Sequence, residues 1–359
     1  MLTYVRRDSM EMQPNMLDFL SLVPQPGFCV SQGAITHVNQ AAQALLLEAG
    51  QEILPLLHSG SEEYRDFQNG QLYLTLNIGG ILRNCVVTRM ADGDLFLLDP
   101  DSDMEEFRAM ELISMELRTP LANAISNAQQ LLQQTDSSAP AAVCMNRNLL
   151  QLMRLVCNLS DVSRYREASH METRDIGLFL EELLEKAATL LGSKGCLTWE
   201  LPKEAIPCLI DPEQLERAVW NLISNAAKFL PAEGAIHVKL TRHGQRLHLS
   251  VADNGSGIAE EVRNTVFQRY LRQPGIEDSR FGLGLGMVIV RTAAANHGGT
   301  VLIDQSGDSG TRVTMTLAIR QNRENRLQSP TFRPDYSGGW DHGLMELSDC
   351  LPAELYREV

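Results

Sequence analysis

The sequence predicts a multidomain α/β protein with a small α+β unit, a helical hairpin and a larger mixed α/β unit. Its 359 residues exceed the usual size of one domain, so two or three compact units are expected. The hydrophobic pattern also changes, from short runs bounded by turn residues to a helical period after Met104 and a mixed pattern after Glu172. The predicted boundaries are 1–16 for an N-terminal segment, 17–100 for the α+β unit, 104–170 for the hairpin, 172–319 for the mixed unit and 320–359 for a flexible acidic tail.

The composition argues against two classes of function. With 31 Lys and Arg against 45 Asp and Glu, the formal net charge is −14, which disfavours general nucleic-acid binding. No apolar run approaches the roughly 20 residues that a membrane-spanning helix needs, and the first residues lack the apolar core of a signal peptide. The seven cysteines are dispersed, as expected for free thiols in a reducing compartment. We therefore expect a cytoplasmic protein without a membrane span.

The N-terminal unit is predicted to contain four strands and one short helix. Apolar runs at 27–30 and 34–38 are bounded by turn residues, and 72–78 alternates apolar and polar residues. A further apolar run lies at 95–98, and a helix over Gln40–Leu47 fits after the second strand. Together these elements make a small α+β unit.

Two amphipathic helices joined by turn residues form the predicted hairpin. On a helical wheel of about 100° per residue, the first helix carries an apolar seam centred on Leu117. Turn residues at 135–140 end this pattern, and a second amphipathic helix follows. One hairpin leaves part of its seam uncovered, so we expect two copies to pair into a four-helix bundle. The seam residues are Met110, Ile113, Leu117, Leu121, Ala124 and Ala128 in the first helix and Leu149, Leu152, Met153, Val156 and Leu159 in the second.

The mixed α/β unit is predicted to begin with a helix over Ile176–Leu191. A later strand that ends in Asp253 leads into the first glycine motif of this unit. Gly255 and Gly257 follow, and glycines allow the backbone to turn tightly beside a ligand. A carboxylate at this point can accept a hydrogen bond from an amino group such as that of adenine. An Asp-x-Gly turn is common, so this motif needs support from others.

Three further glycines, Gly282, Gly284 and Gly286, precede a helix predicted over 287–296. Glycines before a helix N-terminus free backbone N–H groups to face a phosphate, and the helix dipole assists. No Gly-Lys-Ser/Thr follows, which excludes a Walker loop, and the polar residues 270–281 do not form the strand of a dinucleotide fingerprint. The motif predicts a phosphate site of another type.

A long helix predicted over Glu213–Phe229 carries two amides and a cation on one face. Asn221 and Asn225 are four residues apart, and Lys228 lies one turn after Asn225. Amide oxygens and a cation suit Mg²⁺ and a polyphosphate. Taken alone, the same residues would also fit a solvated helix face.

In order and spacing, these motifs closely resemble the N, G1, F and G2 boxes of the histidine-kinase ATPase family. The resemblance implies an α/β sandwich that binds ATP with Mg²⁺, and it extends over well over half of the chain. The residues that carry it are Asp211, Asn221–Phe229, Asp253–Gly257, Phe267, Gly282–Gly286, His297–Gly299 and Gly310–Thr311.

The resemblance also implies a role for each motif. Asn225 would help to hold Mg²⁺, Asp253 would contact adenine, and the second glycine cluster would line the phosphates under a mobile lid at 269–281. The nucleotide-binding residues implied in this way are Asn221, Asn225, Lys228, Asp253, Gly255, Gly257, Gly282, Gly284, Gly286 and Thr311.

Residues Ser114–Leu121 resemble the H-box of the same family, in which a histidine precedes Glu-Leu-Arg-Thr-Pro. The position of that histidine holds Met115. A thioether offers no nucleophilic nitrogen, so autophosphorylation at this position is excluded. Glu116 and Thr119 are retained, and the resemblance implies a phosphatase-type role for them. The alternative is that the helix needs both residues near the bend at Pro120.

The two ends of the chain carry weaker signals. The N-terminal unit loosely resembles PAS sensor domains, chiefly through Gly27–Val30 and His37–Ala42. The final stretch, 332–359, mixes aromatic and leucine residues with six acidic residues, and its predicted state is disorder. The alternative is a helix-forming peptide that docks on a partner or on its own kinase core.

These inferences describe a dimeric, PAS-like sensor with a histidine-kinase core that has lost its acceptor. Three functions remain open. The first is a degenerate kinase that binds ATP and docks on or dephosphorylates a response regulator. The second is an active kinase that phosphorylates a non-standard residue in itself or a partner, with Ser114 and His170 the first acceptors to consider. The third is a non-enzymatic scaffold or inhibitor that pairs with a conventional histidine kinase through the hairpin.

Overall fold

The computed structural model describes most of the chain. The described residues are 20–21, 23–90, 92–99, 113–114, 116–118, 121–128, 140–164, 170–192, 196–231, 233–258, 285–306, 309–320 and 339–357. None of the helices in this part of the chain is long and apolar enough to cross a membrane. Several sequence predictions fall outside the described residues. They are those at Met110, Met115, Thr119, Phe267, Gly282 and Gly284, the lid at 269–281, the N-terminal segment at 1–16 and most of the first part of the predicted tail, 321–338.

The N-terminal unit is an antiparallel sheet with the strand order β2-β1-β5-β4-β3. Phe28 of β1 stacks on Phe96 of β5 at the centre of its core, with ring centroids 4.8 Å apart. The four predicted strands are present, and β4 is an addition. The elements are β1 (Gly27–Ser31), β2 (Ala34–Val38), α1 (Gln40–Gln43), α2 (Ser61–Asp66), β3 (Gln71–Ile78), β4 (Ile81–Met90) and β5 (Gly93–Leu98).

Helix α1 is shorter than the predicted helix over Gln40–Leu47. It begins as expected, because the Asn39 side chain caps it by accepting a 2.9 Å hydrogen bond from the Ala42 N–H. It ends at Gln43 because Leu46 adopts a φ of 63°, in the left-handed region that a right-handed helix cannot include.

The second hairpin helix is α3 (Pro140–Arg164), and residues 121–128 are helical in the first. Ile125 and Ala128 are buried, and Ile125 shares a core cluster with Met153 of α3. Within the predicted seam, Ala128 is buried and Leu121 packs against the same core cluster, whereas Ile113 and Leu117 are 53% and 47% exposed. The part of the seam around Leu117, the Leu117 face, is therefore open. The dimer stays a prediction.

The mixed α/β unit at 172–319 contains a mixed sheet, with the strand order β11-β12-β10-β9-β7, covered by helices. Its helices were predicted to within one residue, whereas β6 was missed because all four of its residues are polar. Strand β6 pairs with β8 in a separate two-stranded sheet. The elements are β6 (Glu172–Asp175), α4 (Ile176–Leu191), β7 (Cys196–Glu200), β8 (Pro207–Ile210), α5 (Pro212–Lys228), β9 (Ala235–His243), β10 (Arg246–Asp253), α6 (Gly286–Asn296), β11 (Val301–Gln305) and β12 (Thr311–Ala318).

The two sheets join edge to edge. Strand β3 pairs antiparallel with β11, with Leu72 opposite Leu302, so that ten strands form one continuous sheet. Polar contacts support the junction: Glu63 Oε1 lies 2.9 Å from an Arg246 guanidinium nitrogen and accepts a 3.0 Å hydrogen bond from Thr316 Oγ1. The N-terminal unit therefore contacts the α/β unit directly.

The C-terminal segment corrects the expectation of a flexible tail at 320–359. Within 339–357 the chain forms α7 (His342–Glu346) and a 3-10 helix (Ala353–Tyr356). Helix α7 contacts α3, α4 and α5, and the 3-10 helix contacts α3. The docking alternative is the one observed, on the chain's own core. The buried apolar residues of the segment are Met345, Leu347, Leu351 and Tyr356.

Candidate nucleotide-binding site

Asp253, the last residue of β10, has one carboxylate oxygen engaged and one available. Its Oδ1 accepts hydrogen bonds from the backbone N–H of Gly255 at 2.8 Å and of Thr311 at 3.2 Å. Its Oδ2 has no hydrogen-bond donor among the residues that the structure describes. Burial raises the pKa of the half-buried Asp253 carboxyl, and the two backbone donors act in the opposite direction. The arrangement leaves one oriented acceptor for a ligand amino group.

Two glycines permit the close backbone approach around Asp253. A side chain at Gly310, where φ is +104°, would collide with the Asp253 carbonyl oxygen. A Cβ at Gly255 would lie 2.7 Å from the carbonyl oxygen of Phe229, the residue that ends α5. Asp253 and Gly255, the Gly310–Thr311 pair and the end of α5 therefore meet at one place.

The Asn221 side chain is buried and is not accessible to a ligand. It is 1% exposed, donating a 2.8 Å hydrogen bond from Nδ2 to the Arg217 carbonyl and accepting one at 3.4 Å from an Arg154 guanidinium nitrogen. A Cβ at Gly286 would lie 2.6 Å from Asn221 Oδ1. Only a glycine fits at Gly286, because this first residue of α6 packs directly against the Asn221 amide. Asn221 therefore supports the start of α6. Asn225, one turn later, is half-buried.

Lys228 is already paired in this structure. Its Nζ lies 2.7 Å from Asp349 Oδ2, a carboxylate of the C-terminal segment, and its side chain is 9% exposed. Burial lowers the pKa of the Lys228 ammonium and the nearby Arg154 lowers it further, whereas Asp349 raises it. The lysine that the sequence assigns to a polyphosphate therefore holds an anion from its own chain.

His297 has a structural role rather than that of a phosphate acceptor. Its side chain is 2% exposed, its Nε2 accepts a 2.9 Å hydrogen bond from the Asp211 N–H, and its Nδ1 lies 2.6 Å from the Ala293 carbonyl oxygen. These contacts define a neutral imidazole with the proton on Nδ1. Burial lowers the pKa of His297, in agreement with the neutral form. The residue ties the end of α6 to the start of α5.

Only part of the H-box region lies within the described residues. Glu116 is exposed. Of the two alternative acceptors, Ser114 is 1% exposed and His170 is exposed, with its backbone N–H donating a 2.8 Å hydrogen bond to Asp211 Oδ2. His170 is therefore accessible to solvent, whereas Ser114 is buried.

A buried ionic cluster beside α5 was not identified from the sequence. Arg217 is 0% exposed and pairs with Asp161 of α3 at 2.6 Å and with Glu346 of the C-terminal segment. Arg154 of α3 pairs with the same Glu346 at 3.0 Å. Arg217 lies within the helix predicted over Glu213–Phe229, directly before the apolar residues Ala218 and Val219, which was the available signal. Its partner is 129 positions away, so no local pattern could supply it.

Comparison with known proteins matches part of this chain to one family and to several sensor kinases. Residues 210–321 match the family described as Histidine kinase-, DNA gyrase B-, and HSP90-like ATPase. Hybrid signal transduction histidine kinase D of Dictyostelium discoideum is 30% identical over 234 residues, which is 61% of this chain and 15% of that protein. Sensor histidine kinase WalK of Bacillus subtilis (strain 168) is 27% identical over 235 residues, 63% of this chain and 38% of that protein.

Among solved structures, full-length ShkA in complex with AMPPNP is similar with a TM-score of 0.47 and 24% identity, covering 60% of this chain and 47% of that one. The chain spans well under half the length of the two curated relatives named above. Residues 210–321 belong to the histidine kinase-, DNA gyrase B- and HSP90-like ATPase family, and the homologues of this chain are sensor histidine kinases.

Proposed function

We propose that this chain is an ATP-binding member of a two-component signalling system that acts on a response regulator without phosphorylating its own H-box position. The observation that carries the proposal is Asp253, whose Oδ1 is held by two backbone donors while Oδ2 remains available to an adenine amino group. That geometry is retained in a chain whose acceptor position holds Met115.

The residues near Asp253 fit a nucleotide with Mg²⁺. Helix α6 begins at Gly286 with no side-chain cap from the part of the chain that the structure describes, and its first backbone N–H groups would face the phosphates. Asn225 is the half-buried amide of the N box and would hold Mg²⁺, and Lys228 would meet a phosphate. Bound Mg²⁺ would neutralise polyphosphate charge. Asn221 would act indirectly, by supporting Gly286.

The action on a response regulator rests on the chemistry of the H-box. Met115 cannot take a phosphoryl group, because its sulfur has no exchangeable proton and no nucleophilic nitrogen. Glu116 is exposed, and the Thr119 hydroxyl, three residues on, could orient a water molecule against an aspartyl phosphate. We propose dephosphorylation or docking of a response regulator at this helix, in a dimer formed through the open Leu117 face.

Two alternatives are less well supported. A kinase with a non-standard acceptor in itself would have to use an accessible nucleophile, and the exposed His170 is the better of the two candidates. A scaffold that pairs with a conventional histidine kinase would use the same Leu117 face. It would have no need for the available oxygen of Asp253, and an unused site is expected to decay.

A phosphatase assay tests the proposal. Response regulators of the source organism would be phosphorylated with radiolabelled acetyl phosphate, and loss of the label would be followed with the wild-type chain, Thr119→Ala and the control Thr189→Ala. Thr189 is exposed on α4, far along the chain from the H-box. We expect one regulator to lose its label faster with wild type and the control than with Thr119→Ala. Equal rates with and without the chain for every regulator would contradict dephosphorylation and leave docking to a binding assay.

A further inference from the structure

Three cations from two different domains converge on the C-terminal segment. Arg154 comes from α3 of the hairpin, whereas Arg217 and Lys228 come from α5 of the ATPase domain. Their side chains are 5%, 0% and 9% exposed. Two carboxylates of the segment pair with these three cations. Glu346 pairs with Arg154 and Arg217. Asp349 lies 2.7 Å from a nitrogen of Arg154 and 2.7 Å from Lys228 Nζ.

Removal of the segment would convert this cleft into an anion-binding site. Buried charges are costly unless they are paired, and the segment supplies both Glu346 and Asp349. Among the ion pairs that the structure describes for the three cations, the one remaining carboxylate would be Asp161, which pairs with Arg217. Two positive charges in excess would then face the cleft.

The segment is seated by shape as well as by charge. Gly343 of α7 has no side chain because the Trp220 ring and Leu190 lie against it, and a Cβ there would be 3.1 Å from the ring. His342 Nδ1 lies 2.9 Å from Glu216 Oε1 at the same contact. Apolar burial of Met345, Leu347, Leu351 and Tyr356 completes the fit. A docking surface with this many specific contacts is a binding site for this segment.

The same contact includes a residue that the proposed function assigns to the nucleotide. Lys228 Nζ is 2.7 Å from Asp349 Oδ2, so a carboxylate holds the position that a phosphate oxygen would take. Arg154 joins the two, since it binds Asp349 and also donates to Asn221, which abuts Gly286 at the start of α6. The segment thus contacts Lys228 directly and, through Arg154, the Asn221 side chain that abuts Gly286.

We propose that the cleft between α3 and α5 is a carboxylate-binding site whose ligand is the chain's own segment 339–357, and that this ligand and the polyphosphate of a nucleotide exclude each other at Lys228. The inference rests on the nucleotide site of the proposed function, and it adds that the segment 339–357 regulates that site. While the segment is docked, it also holds the hairpin and the ATPase domain in one arrangement through Glu346. A nucleotide that displaces Asp349 breaks the pairs of that carboxylate with Arg154 and Lys228, and so removes one of the links between the two domains.

The test uses the full-length chain with an isosteric change at the competing carboxylate. Asp349→Asn removes the charge that occupies Lys228, and Glu354→Gln, an exposed residue of the same segment, is the matched control. Calorimetry would measure the affinities for ATP with Mg²⁺ and for adenosine. We expect Asp349→Asn to bind ATP about tenfold more tightly than wild type, a typical size for coupling between two sites. Adenosine affinity should not change, because adenosine carries no phosphate, and Glu354→Gln should match wild type in both.

Two further measurements sharpen the result. In a Lys228→Gln background, Asp349→Asn should no longer strengthen ATP binding, because the shared cation is gone. Hydrogen exchange in the wild-type chain should accelerate across 339–357 when ATP with Mg²⁺ is added. Equal ATP affinities for wild type and Asp349→Asn, or an equal gain for adenosine, would overturn the competition while leaving the nucleotide site standing. Absence of both ATP and adenosine binding in every variant would overturn the proposed function and the competition together.

Discussion

Asp99 at the end of β5 forms a 2.6 Å ion pair with Arg291, which lies on α6 five residues after Gly286. The pair connects the N-terminal unit to the helix whose first residue belongs to the second glycine motif. Together with the β3–β11 pairing, it gives the N-terminal unit a direct contact with the nucleotide domain that does not pass through the hairpin. A conformational change in the N-terminal unit would therefore have a direct path to α6.

This pair should contribute measurably to stability. The Arg291 side chain is 5% exposed and that of Asp99 is 27% exposed, so Asp99→Asn leaves a buried guanidinium without its carboxylate. We expect the free energy of unfolding to fall by about 1–3 kcal/mol, measured by equilibrium urea unfolding. Glu200→Gln is the control, since it removes an ion pair with Lys239 that is open to solvent. A loss for Asp99→Asn no larger than for the control would show that the contact is unimportant.

Asp253→Asn should weaken nucleotide binding through the base. Two backbone N–H groups point at Oδ1, so the amide oxygen of an asparagine would be held there and its NH₂ group would take the place of Oδ2. A donor would then face the amino group of adenine. We expect the affinity for ATP and for adenosine to fall by about tenfold or more in calorimetry. Met115→Ala, in a separate domain, should bind as wild type does. Unchanged adenosine affinity in Asp253→Asn would remove this residue from the base site.

Dimerisation should depend on the open face of the first hairpin helix. Leu117→Glu places a charge on a residue that is 47% exposed in one chain and would be covered by a second copy. Light scattering should report monomers for this variant. The control is Leu178→Glu on α4, where the leucine is 61% exposed outside the hairpin, and it should stay dimeric. A dimer that survives Leu117→Glu would place the interface elsewhere.

Local sequence patterns predicted helices best where a capping residue and a glycine mark the two ends of an amphipathic stretch. Helix α4 matches its predicted range, Ile176–Leu191, because an amphipathic pattern lies between the Asp175 cap and Gly192. The meeting of Asp253, Gly255 and Thr311 also followed from motif order, which the family resemblance supplied. Such signals lie within a few residues or within a known set of motifs.

Contacts between segments far apart in the chain could not be predicted, because the useful sequence signals extend over only a few residues. The β3–β11 pairing depends on a register between two edges that no local pattern encodes. The acidic residues of the tail indicated disorder when counted by composition, but Glu346 and Asp349 are neutralised by Arg154, Arg217 and Lys228 from helices far away in the chain. The assignment of Lys228 to a polyphosphate therefore stays a prediction, and no local pattern indicated that Lys228 pairs with Asp349 of the same chain.

In our account, this chain binds ATP but has no histidine in its H-box to accept a phosphoryl group. Labelling with radioactive ATP and Mg²⁺ tests this central claim most directly. The wild-type chain should form no acid-labile, base-stable phosphoprotein, because Met115 offers no nucleophile. Met115→His restores the family residue beside Glu116, which can act as its base, and it should form phosphohistidine, most strongly when combined with Asp349→Asn. Strong labelling of the wild-type chain would contradict the account, and the label would then be sought first at His170.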